Sequence, residues 1–305
     1  MPELPEVEVV RSGLAPALVD ATVSAVTVHD ARALTRHPGS VEDFEHALRG
    51  ARVVAVCRRG KFLWMPFTPT DGSDTARAVV AHLGMSGQML LRASGAPVER
   101  HERIRLDIDH PDHGALAVVF ADQRTFGSLA LDPLLPTTDA APGGFGADDA
   151  TVPAQVAHIA RDPLDPALDE TRLRTLWARK RSAIKRVLLD QTVISGVGNI
   201  YADEALWGAR IHPETPADAL SARHATRLLA EVRSVLDKAL AEGGTSFDAQ
   251  YVNVNGQAGY FAHSLHAYGR GGAPCHRCGR PITRVSFMNR SSHFCPRCQR
   301  MPRTR

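Results

Sequence analysis

The sequence predicts an α+β multidomain chain in which strands come first, helices follow and a cysteine-paired hairpin closes. Short β-branched runs with turn signals fill residues 21–130, Leu/Ala/Val periodicity fills 166–243, and four cysteines cluster beyond 270. A block of strands followed by a block of helices, rather than an alternation of the two, argues for segregated layers or separate domains. At 305 residues the chain has room for two domains, or for one large domain with an appendage.

Residues 5–18 read as a short amphipathic helix, because Pro5 suits a first helical position and Glu6 and Glu8 suit the positive end of the dipole. TVSAVTV and ARVVAVC are strand-like, and Cys57 at the end of the second reads as a buried small hydrophobe. RIRLDID and ALAVVFA alternate on either side of HPDHG, a hairpin signal. Strands at this spacing predict a β-sandwich or barrel. Residues 131–155 are rich in Pro, Gly, Asp and Thr and read as a linker. In ISGVGNIYADEALW, Gly196 and Gly198 permit a tight turn and Asn199 is expected to cap the next helix. Free N–H groups at such a start suit phosphate, and a plain packing corner fits the pattern equally. YVNVNGQAGYF reads either as a substrate loop or as a connector. The expected organisation is 1–130 catalytic β domain, 131–155 linker, 156–269 helical domain and 270–305 hairpin.

Cys275, Cys278, Cys295 and Cys298 form C-x2-C-x16-C-x2-C, two knuckles around a hairpin-length spacer. That spacing predicts one zinc ion, structural because four thiolates leave no position for a substrate. The spacer RVSFMNRSSHF alternates like a strand and places Arg290 and two serines before the second knuckle, a set suited to phosphate contacts. The net charge of +3 conceals an asymmetry: Arg270 to Arg305 holds nine Arg and no Lys, Asp or Glu, so the rest of the chain sums to 3 − 9 = −6. Such concentrated positive charge is the footprint of a polyanion. Lysine is scarce, four residues against 32 Arg, which draws attention to Lys61 and Lys185. No run approaches the ~20 apolar residues of a membrane span and the start is not a signal peptide, so a cytoplasmic protein with no membrane partner is expected.

Seven ordered motifs resemble the formamidopyrimidine-DNA glycosylase and endonuclease VIII family, the former branch, bacterial type. They are PELPEVE at the start, RRGKFL at 58–63, HLGMSG at 82–87, DQRTFG at 122–127, GVGNIYADEALW at 196–207, GYF at 259–261 and NRSSHFCPRCQ at 289–299. The resemblance implies an N-terminal helix with a two-sheet antiparallel β-sandwich, a helix–two-turns–helix domain and a zinc-finger hairpin. It implies a bifunctional glycosylase and lyase acting on oxidised purines, or on abasic sites, in double-stranded DNA. Leu4 and the long loop at 251–261 favour that branch over oxidised pyrimidines. A noncatalytic lesion-binding zinc protein is the reading from another class, and the presence of both Pro2 and Glu3 speaks against it.

The resemblance also implies roles. Loss of Met1 exposes Pro2 as a secondary amine, and an α-amino group of pKa roughly 8 has a usable neutral fraction near neutrality. Pro2 would then attack the deoxyribose and form a Schiff base, with no nucleotide cofactor. Glu3 would handle protons at the sugar, Glu6 would position, and Glu8 reads as helix-surface charge. Lys61 would contact a phosphate beside the lesion and assist as a local cation. Met85, Arg124 and Phe126 match residues inserted into the duplex when a base is turned out. Lys185, Asn199 and Arg290 match phosphate-binding positions around the extruded nucleotide, Arg290 being counted with the catalytic set. Tyr260 and His101 are further expected DNA contacts, and Asp190 and Glu204 are expected to support the helical element. One chain supplies every part, so a monomer is expected.

Overall fold

The computed structural model describes residues 2–70, 76–244, 254 and 261–301. The described chain divides into two compact units, one within Met1–His158 and the other within Ile159–Gly244 and Tyr260–Arg305, with Val254 grouped with the first.

The first unit opens with helix α1 (Leu4–Leu18). Its start is set locally: Pro5 lies in the first turn and the Glu3 backbone N–H donates to the Glu6 carboxylate at 2.8 Å. That is the reciprocal arm of a capping box. Val7, Val10, Leu14 and Leu18 recur at helical spacing and are buried in the core. Next come β1 (Thr22–Val28), α2 (Val41–Leu48), β2 (Arg52–Val53), β3 (Cys57–Arg59), β4 (Phe62–Thr68), β5 (Arg77–His82) and β6 (Gly87–Ala93). They are followed by β7 (Glu102–His110), β8 (Gly114–Asp122), β9 (Ser128–Pro136) and β10 (Thr151–Pro153).

The strand order is β10-β9-β5-β4-β2-β1-β7-β8-β6, with β3 beside β4 and every pairing antiparallel. The two-residue strand β2 alone joins the half built on β4, β5 and β9 to the half built on β1, β7 and β8. Leu63, Met65, Val79 and Leu129 from one half share a single core with Val26, Ile104, Leu106 and Phe120 from the other. Two sheets facing one core make a sandwich, here continuous through one corner. Cys57 is fully buried, and burial pushes its thiol up to about 12, so it is an inert packing residue.

The segment read as a linker, 131–155, is not one. β9 continues through Pro136 and β10 pairs back onto it. Between them Phe145 and Arg58 exchange backbone hydrogen bonds at 2.9 Å, and Arg59 Nε donates to Gly143 O at 2.7 Å. A Cβ on Gly144 would stand 2.2 Å from the Arg58 carbonyl. The glycines that suggested a linker are there because the backbone lies directly against β3.

The second unit holds α3 (Glu170–Ala178), α4 (Ile184–Leu189), α5 (Asn199–Ala209), α6 (Ala222–Ala241) and the hairpin β11 (Thr283–Phe287) and β12 (Arg290–Phe294). Helix α5 is buried on nearly all sides and packs on α4, α6 and β12. Two turns join α4 to α5, and Gln191 staples them: its amide donates to Leu189 O and Val197 O, and its oxygen accepts from Gly196 N. No described helix is long and apolar enough to cross a membrane.

Candidate functional site

In the first unit, Pro2, Glu3 and Glu6 are all buried, with Glu3 3% and Glu6 2% exposed. Two buried carboxylates within the first six residues are costly to place unless they work or are paired. Helix α1 packs on β3 and β4, the hairpin whose two-residue turn is Gly60–Lys61. Gly60 at φ +56° supplies the backbone twist that a tight hairpin turn needs, which fixes where Lys61 stands. Glu8 is more than surface charge. It accepts from Arg11 Nε at 2.9 Å and from the buried Arg58 Nε at 2.7 Å, and so ties α1 to β3.

Met85 is 45% exposed and Phe126 is 61% exposed, and Arg124 is exposed with them. Large apolar side chains left in water on ordered loops mark a surface made for contact. Met85 lies between β5 and β6, Arg124 and Phe126 between β8 and β9. The two loops cross backbone on backbone: a Cβ on Gly84, itself at φ +61°, would meet Gly127 N at 2.5 Å. Sequence reasoning passed over the residue that joins them, the buried Asp122. Its carboxylate accepts from Ser86 Oγ at 2.6 Å, Arg124 N at 3.0 Å and Gly127 N at 2.8 Å. His82, at the end of β5, accepts from Gly84 N through Nδ1 at 3.2 Å; burial, with Arg36 and Lys61 nearby, lowers its pKa to about 4. His101 sits at the start of the adjacent strand, and its carbonyl accepts from Asp122 N at 2.9 Å.

In the second unit, Lys185 and Asn199 meet at one carbonyl, that of the residue after Arg290. Lys185 Nζ donates to Ser291 O at 3.2 Å and Asn199 Nδ2 donates to the same oxygen at 3.0 Å, beside Arg290 in the chain. Asn199 is therefore no helix cap; Gly198 occupies that position and the Asn side chain turns to the hairpin instead. Lys185 is fully buried and pairs with Asp203 Oδ1 at 2.6 Å, so it anchors the hairpin as well as offering charge. Asp203 also accepts from Ser292 Oγ and from His293 N, which fixes the whole of β12 on α5. Its neighbour Glu204 takes three backbone N–H groups, from His266, Ala267 and Tyr268, while burial pushes its pKa up against those donors. Asp190 pairs with Lys180 at 3.1 Å and bonds Thr192, holding the first of the two turns. Tyr260 and the rest of the loop 251–260, apart from Val254, lie outside the described residues.

The sulfurs of Cys275, Cys278, Cys295 and Cys298 lie within 4.8 Å of one another. Zinc with four thiolates at its usual bond length holds its sulfurs about 3.8 Å apart, so the set fits one tetrahedral zinc. The Cys298 N–H points to Cys295 Sγ at 3.4 Å, the type of donor that stabilises a thiolate knuckle. Trp207 of α5 packs with Cys275, Ile282 and Cys295, stacks on His266 at 4.4 Å and lies 3.6 Å under the Arg277 guanidinium.

Known proteins resemble the chain over its length. Residues 1–129 match the model of the formamidopyrimidine-DNA glycosylase N-terminal domain, 159–250 that of its H2TH domain, and 272–300 a zinc finger found in FPG and IleRS. A Leifsonia xyli protein named formamidopyrimidine-DNA glycosylase is 62% identical over 301 residues, spanning 99% of this chain and 100% of that one. A Nocardioides protein of the same name is 52% identical over 305 residues, 100% and 96% of the two chains. Among solved structures, a variant of Lactococcus lactis FPG in complex with a Fapy-dG containing DNA matches with a TM-score of 0.79 at 29% identity, covering 98% of this chain and 100% of that one. The L. lactis Fpg with an abasic-site DNA matches with a TM-score of 0.78 at 28% identity, covering 98% and 99%.

Proposed function

The chain belongs to the formamidopyrimidine-DNA glycosylase family, and from that premise we propose that it removes oxidised purines from duplex DNA and then cuts the strand at the abasic site. The observation that carries this reading is the exposed set Met85, Arg124 and Phe126 on two loops locked together by Asp122. The C1′ atom of a base stacked inside a duplex is out of reach of an enzyme nucleophile, so the nucleotide must be turned out and the gap filled. Met85 and Phe126 can stack in the gap, and the Arg124 guanidinium can bond to the orphaned base.

With Met1 removed, the Pro2 nitrogen carries a lone pair that attacks C1′ as the bond from C1′ to the base breaks. The electron pair of that bond leaves with the base, which takes up a proton. Glu3 is the proton carrier at the sugar, and Glu6 holds the terminus through the Glu3 N–H. The nitrogen now bonded to C1′ loses its proton, and its lone pair then expels the ring oxygen O4′, which takes a proton from Glu3. The C1′–O4′ bond opens and an iminium forms. That cation draws electrons from C2′, so a 2′ proton leaves and the 3′ phosphate departs; the conjugated iminium then loses the 4′ proton as the 5′ phosphate departs in turn. Lys61 steadies a neighbouring phosphate, and Arg290, with Lys185 and Asn199 holding its strand, grips the extruded nucleotide. The zinc ion keeps the ribbon folded and takes no part in the bond changes. Backbone contacts of this kind give an affinity that falls steeply with salt. The enzyme works as a cytoplasmic monomer, with a catalytic unit running on through residues 131–155, a helical unit and the 270–305 hairpin as its functional parts, and with Tyr260 and His101 as added DNA contacts.

Release of 8-oxoguanine and of formamidopyrimidine from duplexes carrying one lesion opposite cytosine, beside a thymine-glycol duplex, tests the reading. Release of both purine lesions with strand scission is expected. Faster release of thymine glycol moves the protein to the pyrimidine branch. Binding without release on any duplex leaves a lesion sensor.

A further inference from the structure

Many arginines of this chain pair with a carboxylate, and of those that do not, four stand close together. In the first unit Arg32, Arg52, Arg92, Arg103 and Arg105 each meet a carboxylate, as do Arg161 and Arg233 in the second. Arg210, Arg280, Arg297 and Arg300 meet none among the described residues, and all four are exposed. They gather at one place. Arg280, Arg297 and Arg300 surround one surface depression with Thr283, and Arg297 and Arg300 also border a second with Arg210 and Arg277.

This cluster lies at the knuckle end of the ribbon. The Arg290 depression, which includes Met288, Lys180 and Arg186, shares no residue with the other two. Along the hairpin, the pair Thr283–Phe294 and the pair Phe287–Arg290 are four residues apart, which is about 14 Å of strand. The zinc site does not neutralise the cluster. Zinc with four thiolates carries a formal 2 − 4 = −2, and five arginines around it leave 5 − 2 = +3. Four uncompensated guanidinium groups repel one another, and their forks match phosphate oxygens. Neither depression is lined by an aromatic anchor of the kind that carries protein–protein affinity.

We propose that the knuckle end of the ribbon is a second DNA-backbone surface, taking duplex DNA outside the stretch held by the Arg290 end. It rests on the reading that DNA is the polymer on which this chain acts. Its job is sequence-independent hold on undamaged duplex, while the Arg290 end serves the damaged nucleotide.

The test compares wild type with the triple variant Arg280→Ser, Arg297→Ser, Arg300→Ser, using zinc content and melting temperature to establish that the ribbon is folded. A second triple variant, Arg→Lys at the same positions, keeps the charge. Two probes are used: a short duplex that ends within a helical turn of one 8-oxoguanine, and an undamaged duplex several turns long. For the Ser variant, excision from the short duplex is expected to match wild type. Its affinity for the long duplex should fall by about tenfold or more at moderate salt, and the slope of log affinity against log salt should become shallower by about 2 to 3. The Lys variant should keep the wild-type slope. An unchanged slope in the Ser variant overturns the proposal, and so does an equal loss on both duplexes. Loss of polyglutamate binding with the DNA slope unchanged would assign the face to an acidic protein, against the proposal. A wild type that binds the long duplex normally but releases no lesion sinks the proposed activity and leaves this inference standing.

Discussion

Asp122→Asn is the substitution that isolates the proposed wedge, the two loops carrying Met85, Arg124 and Phe126, from the rest of the molecule. The side chain keeps its shape, yet one carboxylate oxygen becomes an NH2. In the native arrangement Oδ2 accepts from Gly127 N at 2.8 Å, while Oδ1 accepts from Arg124 N at 3.0 Å and Ser86 Oγ at 2.6 Å. Whichever way the amide turns, a donor faces a donor. If it faces Gly127, a buried N–H loses its partner; if it faces the other side, Arg124 N loses its own while the serine hydroxyl can rotate. Leaving one such donor unsatisfied costs about 1–3 kcal/mol, and replacing the remaining charge-assisted bonds by neutral ones adds roughly another. A loss of about 3 kcal/mol lowers the melting temperature of a unit this size by about 6–12 °C. Because the strain falls on the loops that carry Met85, Arg124 and Phe126, affinity for an abasic-site duplex should drop by about 10- to 100-fold. Affinity for undamaged duplex should hold. Fluorescence anisotropy on both duplexes at one salt concentration, with calorimetry alongside, reads all three quantities. Abasic-site affinity within about threefold of wild type, despite the lowered melting temperature, would refute the brace as the device that positions the wedge.

Arg124→Ala should weaken discrimination of the base opposite the lesion more than abasic-site binding, measured as excision rates against four opposing bases; equal losses on all four would count against its role at the orphaned base. Cys278→Ser, or zinc chelation, should lower duplex affinity while leaving the first unit's melting intact, and should shift Trp207 emission, because that indole packs against Cys275 and Cys295; a Trp207→Phe protein should lack the shift. Since His82 falls from 6.5 to about 4 on folding, the native state favours its neutral form, so its contribution to stability is full above the unfolded value and is lost as pH drops from 6.5 towards 4. His82→Gln should flatten melting temperature against pH over that window, and a slope identical to wild type would contradict the assignment. Glu8→Ala removes the carboxylate that ties the buried Arg58 Nε to α1 and should cost about 1–3 kcal/mol in denaturant unfolding; a loss below about 0.5 would return Glu8 to the surface-charge class.

What the sequence made legible was chemistry held in short runs. The helix at 4–18, the hairpin around HPDHG and the cysteine knuckles each depend on neighbours a few residues away, so spacing alone reveals them. Residues 131–155 have the composition of a linker but are packed, because composition reports glycine and not what stands opposite; at Gly143 and Gly144 it is the backbone of Thr151 and Arg58. Asn199 has the composition of a cap, yet its amide meets Ser291, 92 positions along the chain. Asp122 and Asp203 escaped notice for the same reason. Each gains its meaning from donors that only tertiary packing delivers, although an acid at the head of DQRTFG is itself a local signal of a braced loop. Lys185, singled out because lysine is rare here, is fully buried against Asp203, and rarity alone could not reveal that partner.

The central claim is that the amine of Pro2 is the nucleophile, and borohydride reduction during reaction tests it most directly. With a duplex carrying one 8-oxoguanine opposite cytosine, the wild type should be trapped covalently on the DNA, peptide mapping should place the adduct on Pro2, and Pro2→Gly should lose most of the trapped complex while still binding the lesion. Undiminished trapping by Pro2→Gly, or an adduct mapped to Lys61 instead, would contradict it.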